Sequence, residues 1–459
     1  MPAMKVALVF PRRHYPSGDP PLGILYLAAR LRERTGLVPK ILDTTFDRDA
    51  FAHLRQELMA EKYDLVGISA MVTMARDANA AADLCKQVRP ETKVILGGPH
   101  PTTLAERVLE NPAVDAVGLG EGEDTLVEVV EREGFAGVPG VWYREGGEIR
   151  KNPPRPWLQD LDQLPFPAFD LLDLEPYLQG WFQLDTVRPG LRGTSVLATR
   201  GCPFQCTYCQ PTLERLFGRG LRQRSPGHVA DELQELQGRF RLDAFLFADD
   251  TFIADRAWVQ AFCRELRSRK LGIIWGCNVR ADLARRELLA EMFDAGLRNI
   301  RVGIETYSDT IRQEVFRKKI TREQVEEVTA DARAMGLSVQ GYFMLGAPGE
   351  TREDIRETVR WARRLPIHDA TFNLTTPLPG TYLFEKFQTQ VAVAEEDMDY
   401  YRRYAFTEGS GLSQGWLSRQ KLWAYITFYL RPDHLGLLLR LVFGPGGWSR
   451  FAMKLRRVL

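Results

Sequence analysis

The sequence predicts an α/β protein in three parts: a doubly wound, Rossmann-like N-terminal domain, a central (β/α)6 partial barrel and a mostly helical C-terminal domain. Three observations predict it. Short apolar runs alternate with amphipathic helical stretches from residue 4 to about residue 130, and the alternation resumes as six strand–helix units from Ser195 to about Pro379. Beyond about residue 386 the chain turns to an aromatic- and Leu-rich helical pattern. Pro-rich sequence, Asn152-Pro-Pro-Arg-Pro-Trp157 and then Leu164-Pro-Phe-Pro-Ala168, marks a stiff connector. The expected domains are therefore 1–145, a linker at 146–190, 191–385 and 386–459.

In the first domain, buried strands are expected at Lys5–Phe10, Val38–Leu42, Leu65–Ala70, Val94–Leu96 and Ala116–Leu119. Helices such as Leu22–Glu33 and Arg76–Val88 lie between them, with apolar residues at three- and four-residue intervals. Doubly wound sheets bind ligands at strand carboxyl ends. The loops at those ends read Ser69-Ala-Met71-Val72-Thr73, Gly97-Gly98-Pro99-His100 and Gly120-Glu121-Gly122-Glu123, and their glycines let backbone approach a large ligand closely. In the second domain the expected strands are Val196–Thr199, Ala244–Ala248, Ile273–Cys277, Ile300–Ile304, Val339–Leu345 and Phe372–Thr375.

Composition narrows the function. Lys plus Arg number 61 against 60 Asp plus Glu, so the chain has no basic field and no nucleic-acid partner is expected. Six cysteines without a paired framework favour a reducing, cytoplasmic setting. The start Met1-Pro-Ala-Met-Lys-Val-Ala-Leu-Val-Phe10 reads as a strand rather than a signal peptide. Apolar runs such as Leu422–Leu430 fall short of the roughly 20 residues a spanning helix needs.

Three cysteines, Cys202, Cys206 and Cys209, follow the first barrel strand as C-x3-C-x2-C, at the strand end where barrel enzymes keep their active sites. Thiolates are natural ligands of iron–sulfur clusters, and three of them on a [4Fe–4S] cluster leave one iron open. The alternative is a zinc site or three core thiols, although zinc sites normally pair two ligand couples. The motif resembles that of radical S-adenosylmethionine (SAM) enzymes. The first-domain loops, with the stretch Pro20-Pro-Leu-Gly-Ile-Leu-Tyr-Leu-Ala-Ala29, resemble the cobalamin-binding domain that precedes such a barrel in the cobalamin-dependent radical SAM family. The likeness covers about residues 4–385.

That resemblance implies a cluster on Cys202, Cys206 and Cys209, with SAM on the open iron. It implies Tyr208 beside the adenine, Asp249 and Asp250 toward the SAM ammonium, Arg280 toward its carboxylate, Glu305 toward ribose or ammonium, and Gly346 toward the base. Cobalamin would lie against Ser69, Met71, Val72, Thr73, Gly97, Gly98, Pro99, His100, Gly120, Glu121, Gly122 and Glu123. Relatives commonly read Gly-Ile-Glu-Ser-Gly where this chain has Gly303-Ile-Glu-Thr-Tyr307, which makes Tyr307 a candidate on the substrate side. His14 sits in a loop without the Asp-x-His-x-x-Gly spacing of mutases, so no histidine is expected on cobalt.

The implied reaction is methylation of an unactivated carbon through a 5′-deoxyadenosyl radical and methylcobalamin. The alternative within the family is cyclisation or rearrangement without methylation, as in relatives of bacteriochlorophyll and hopanoid biosynthesis; a non-catalytic cobalamin or Fe–S sensor is the alternative of another class. The expected partners are a small-molecule substrate, a lipid or tetrapyrrole in character, and an electron donor such as flavodoxin or ferredoxin. Residues 431–459 carry six Lys or Arg against one Asp amid Trp and Leu, a composition that suits peripheral contact with the inner face of a membrane.

Overall fold

A computed structural model describes residues 4–394, 397–399, 401, 403–406, 412–444, 447–448 and 452. Of the basic tail, Ser449–Phe451 and Met453–Leu459 lie outside the described residues.

The first sheet has seven strands: β1 Val6–Phe10, β2 Lys40–Asp43, β3 Leu65–Ser69, β4 Lys93–Gly97, β5 Ala116–Gly118, β6 Val141–Glu145 and β7 Glu148–Lys151, in the order β2-β1-β3-β4-β5-β6-β7. β1 to β5 pair in parallel, and β6 and β7 add an antiparallel hairpin at one edge. The apolar runs follow from burial on both faces. Ala7, Val9, Val66, Ile68, Val94 and Leu96 pack into one core, while Val6, Leu8, Phe10, Leu65 and Ile95 pack into another on the opposite side. The hairpin was not anticipated, and it carries the sheet to Lys151, past the expected boundary at 145. Its turn signal, Gly146-Gly147, was present, with both glycines in the left-handed region at φ 59° and 86°.

The connector is packed rather than extended. Tyr177 and Trp181 are both buried, and the Tyr177 hydroxyl bonds Asp43 at 2.5 Å and Thr45 at 3.0 Å, at the end of β2. Trp181 covers the first barrel strand so closely that a Cβ on Gly193 would fall 2.2 Å from its ring. This stretch therefore fastens the second sheet to the first.

The second sheet is an open barrel of six parallel strands in chain order, β8 Gly193–Val196, β11 Ala244–Phe247, β12 Ile274–Val279, β13 Leu297–Glu305, β14 Ser338–Leu345 and β15 Asp369–Leu374. Between β8 and β11 a short antiparallel ladder joins β9 Thr199–Arg200 to β10 Arg222–Gln223. The first barrel strand ends three residues before Thr199, the end read from sequence, because Asp249 captures the backbone N–H groups of Ala198 and Thr199 and draws the chain out of the sheet. Phe247, Phe252, Phe262 and Trp275 interlock edge-to-face in the core behind it.

The C-terminal part packs helix Gln414–Tyr429 on the outer strand, where the Phe372 N–H donates to the Tyr425 hydroxyl at 3.0 Å. A second helix, Pro432–Phe443, follows. Among the described residues no helix is long and apolar enough to cross a membrane.

Candidate active site

At the carboxyl ends of the barrel strands lies a cavity of about 530 Å³. Its floor comes from the barrel, through Ser195, Leu246, Asn278, Arg301 and Tyr342. Part of its wall comes from the first domain, through Asp19, Pro20 and Leu22. Asp19 is held there by the Ser195 hydroxyl at 2.7 Å and the Gln183 amide at 2.5 Å.

Cys202, Cys206 and Cys209 all face this cavity, as do Phe204 and Tyr208. Burial pushes the thiols of Cys202 and Cys209 up, and the Asp250 carboxylate adds to the rise. The thiolate is the metal ligand, so a metal centre here has to displace the thiol protons, and its positive charge offsets the penalty that burial places on the thiolates. Among the described residues no three His, Cys, Asp or Glu side chains are gathered closely enough to hold a single ion. Three cysteines facing one cavity are a donor set suited to a [4Fe–4S] cluster, which they would hold.

Asp249 and Asp250 part company. Asp249 is fully buried behind the loop, bonded to the amides of Ala198 and Thr199, and burial lifts its carboxyl to about 6. It holds the cysteine loop and does not face the ligand space expected of it. Asp250 does line the cavity, where its side chain reaches solvent, and the surrounding wall together with the neighbouring Asp249 charge raises its carboxyl above the ordinary range.

Arg280 reaches the cavity with its fork already taken by Asp282 at 3.1 Å and 3.1 Å. Its remaining Nη1 lies 3.8 Å from the Cys206 sulfur, and its guanidinium stacks on Phe204 at 3.7 Å. A two-pronged grip on another carboxylate would require release of Asp282. Glu305 stands in the left-handed region at φ 69°, at a bulge between β13 and β14. Its Oε1 accepts from Lys318 at 2.7 Å and from the Tyr208 hydroxyl at 2.9 Å. Gly303 makes room for that pair, since a Cβ there would fall 2.4 Å from the Lys318 nitrogen. Lys318 was missed in the sequence reading; a lysine flanked by Arg317 and Lys319 reads as solvated surface, and only the fold buries it.

Two candidates lie elsewhere. Tyr307 packs outside the barrel, edge-on to Trp361 at 5.6 Å and under Arg322 at 4.5 Å, because the chain after the bulge turns away from the cavity. Gly346 is covered by Tyr404 and Leu417, and its N–H donates to buried Glu350 at 2.7 Å.

In the first domain, Ser69 ends β3, and Met71 leads into a 3-10 turn at Val72–Met74, which contains Thr73. Gly98, at φ 100°, lies with its α-carbon against Ala70, while nothing stands within 4 Å of the Cβ position on Gly97. Pro99 opens a short helix in which His100 is buried with its Nδ1 unpartnered, and burial lowers its imidazole to about 4. Open backbone at Gly97 beside the unpartnered His100 Nδ1 suits a large ring edged with carboxamides. The Gly120 N–H donates to the Thr102 hydroxyl oxygen at 3.0 Å, and Gly120 abuts the backbone of Arg215 and Leu216. Glu121 and Glu123, separated by Gly122, are engaged with arginines of the barrel's antiparallel ladder. Glu121 binds Arg200 at 2.7 Å and Arg222 at 2.8 Å, and Glu123 binds the other arm of Arg200. Both carboxylates are thus already paired with arginines of the second domain.

An open parallel barrel and a Rossmann-like sheet, with the segment after β1 walling one thiol-lined cavity at the barrel's strand ends, define a two-domain α/β architecture with a site where the domains meet. Residues 196–362 match the Radical SAM superfamily, and residues 15–130 match the B12 binding domain. An uncharacterized methyltransferase of Pyrococcus horikoshii is 33% identical over 95% of this chain and 94% of its own length. The anaerobic magnesium-protoporphyrin IX monomethyl ester cyclase of Rubrivivax gelatinosus is 29% identical over 85% of this chain and 71% of its own. In fold, the radical SAM methyltransferase TsrM of Kitasatospora setae, solved with cobalamin and a [4Fe–4S] cluster bound, superposes with a TM-score of 0.75 over 99% of both chains at 16% identity. The chain belongs to the cobalamin-dependent radical SAM family. Its cofactors are a [4Fe–4S] cluster, SAM and cobalamin.

Proposed function

We propose that this enzyme methylates an unactivated carbon of an apolar small molecule. The observation that carries this reading is the shared cavity, in which residues of the cobalamin-binding domain, Asp19, Pro20 and Leu22, line the same space as the three cysteines. When bound, the cluster with SAM would supply the chemistry for hydrogen abstraction, and cobalamin would serve as the methyl carrier. The protein binds and orients. Cys202, Cys206 and Cys209 hold the cluster, Asp250 offers an acceptor to the SAM ammonium, and Lys318 with Glu305 and Tyr208 fixes the polar wall opposite. The apolar remainder of the wall keeps water from a reactive intermediate.

A cyclisation is the second reading, favoured by the cyclase relative. Product analysis separates the two. With substrate and SAM labelled at the methyl group, methylation gives a heavier product with both S-adenosylhomocysteine and 5′-deoxyadenosine. Cyclisation gives 5′-deoxyadenosine without stoichiometric S-adenosylhomocysteine, and that pattern would reject methyl transfer.

We further infer a low-potential donor, flavodoxin or ferredoxin, and a lipid- or tetrapyrrole-like substrate reached at a membrane surface. Supporting the latter, eight of the thirteen large apolar residues exposed among the described residues fall in the last two helices and just beyond, from Leu422 to Trp448. Arg356, Arg360 and Arg363 flank Trp423 along one groove beside them.

A further inference from the structure

Three arginines and three glutamates form a buried, charge-balanced lattice where the two domains meet. Arg200 and Arg222 face each other across the β9–β10 ladder. Arg200 immediately precedes Gly201-Cys202, so it is the root of the cysteine loop. Glu121 binds both arginines, and its Oε2 also accepts the Leu158 N–H of the connector at 3.2 Å. Glu123 takes the second arm of Arg200. Arg200 lies over the ring of Tyr26 at 5.4 Å, and the Tyr26 hydroxyl meets Arg224, which pairs with buried Glu232. None of these glutamates or arginines lines the cavity.

We propose that Glu121 and Glu123 are positioning residues: they clamp the root of the cysteine loop to the cobalamin-binding domain and thereby set the separation between the cluster and cobalt. The physical reason is directional. Arg200 is gripped by two carboxylates at once, so its position is fixed in more than one direction, and the neutral sum of the lattice permits burial without an unpaired charge. Gly201, at φ 87°, gives the loop its sharp exit immediately after that anchor; a Cβ there would strike the Gly220 carbonyl at 2.6 Å. Without the clamp the loop keeps its cysteines but loses its reference to the first domain.

The inference concerns the cofactor distance and so rests on the reading that both cofactors flank one cavity; its first measurement needs neither. In full-length protein without cofactors, Glu121→Gln/Glu123→Gln should raise amide hydrogen exchange across residues 198–224 by about tenfold while exchange in β13 and β14 stays as in the parent. In the reconstituted, reduced protein, dipolar electron paramagnetic resonance between cob(II)alamin and the cluster should show a broadened or lengthened distance at undiminished iron content. Arg222→Lys, which keeps the charge but loses the two-armed grip, should fall between parent and double variant, and serves if the double variant fails to fold. Unchanged exchange at 198–224 with an unchanged distance would overturn the clamp. Loss of iron in Glu121→Gln alone would overturn it too, because the glutamates would then hold the cluster itself. Failure to take up cobalamin in the parent would count against the functional reading and leave the exchange result to judge the clamp.

Discussion

At the scale of single residues, the site divides cysteines by what surrounds them. Cys85 and Cys263 are buried in apolar cores that push their thiols up to about 12, so they are inert packing. Replacing Cys202, Cys206 and Cys209 together with Ala should abolish iron binding after anaerobic reconstitution, while Cys85→Ala, Cys263→Ala and Cys277→Ala retain it; iron analysis decides. Glu350 supplies a second prediction. Burial lifts its carboxyl from the ordinary 4.5 to about 7, against the hydrogen bonds it accepts from Gly346, Ala347 and Thr306. Between those values the folded protein keeps a proton that the unfolded chain has released. Stability should therefore fall as pH rises through that window and level off above it, by up to about 3 kcal/mol. Thermal melts at pH 5 and pH 8 check this: the parent should lose more of its Tm over the interval than Glu350→Gln.

At the scale of elements, the alternation of apolar and amphipathic runs was enough to locate eleven parallel strands, because inner strands such as β1 and β11 are buried on both faces and the edge strands β2 and β15 still carry buried apolar positions. What escaped was long-range. Glu121 and Arg200 are 79 residues apart, and Gly-Glu-Gly-Glu after a strand reads equally well as a ligand loop or as a docking surface. Asp249 looked like a ligand acceptor because Asp-Asp after a strand is ambiguous, and only its neighbour Asp250 reaches the cavity. The β6–β7 hairpin straddled the expected boundary at 145, so that β6 lay at the end of the first domain and β7 in the stretch assigned to the linker. Gly98 tests the loop at the end of β4. A Cβ there would lie 3.0 Å from the Ala70 carbonyl oxygen, at a φ of 100° that side chains rarely adopt. Gly98→Ala should cost about 1–3 kcal/mol and deplete bound cobalamin, read from the melting temperature and the visible absorbance of purified protein.

At the scale of the whole molecule, the exposed apolar face of the last two helices sits beside a row of arginines, and the tail beyond adds Arg450, Lys454, Arg456 and Arg457 without an acid. Full-length protein should sediment with anionic liposomes at low salt, truncation after Leu412 should reduce that, and added salt should weaken it as the charges are screened. Indifference of the intact chain to such vesicles would leave these helices as packing on β15 alone. The cavity has a different consequence. Because the loop carrying Asp19, Pro20 and Leu22 forms wall space for the barrel, a change in the N-terminal half alters which molecules fit against the C-terminal half. The two halves are thus bound to diverge together: swapping either one with a relative's would bring an ill-matched half-cavity, and a lineage that acquires a new substrate has to rewrite both.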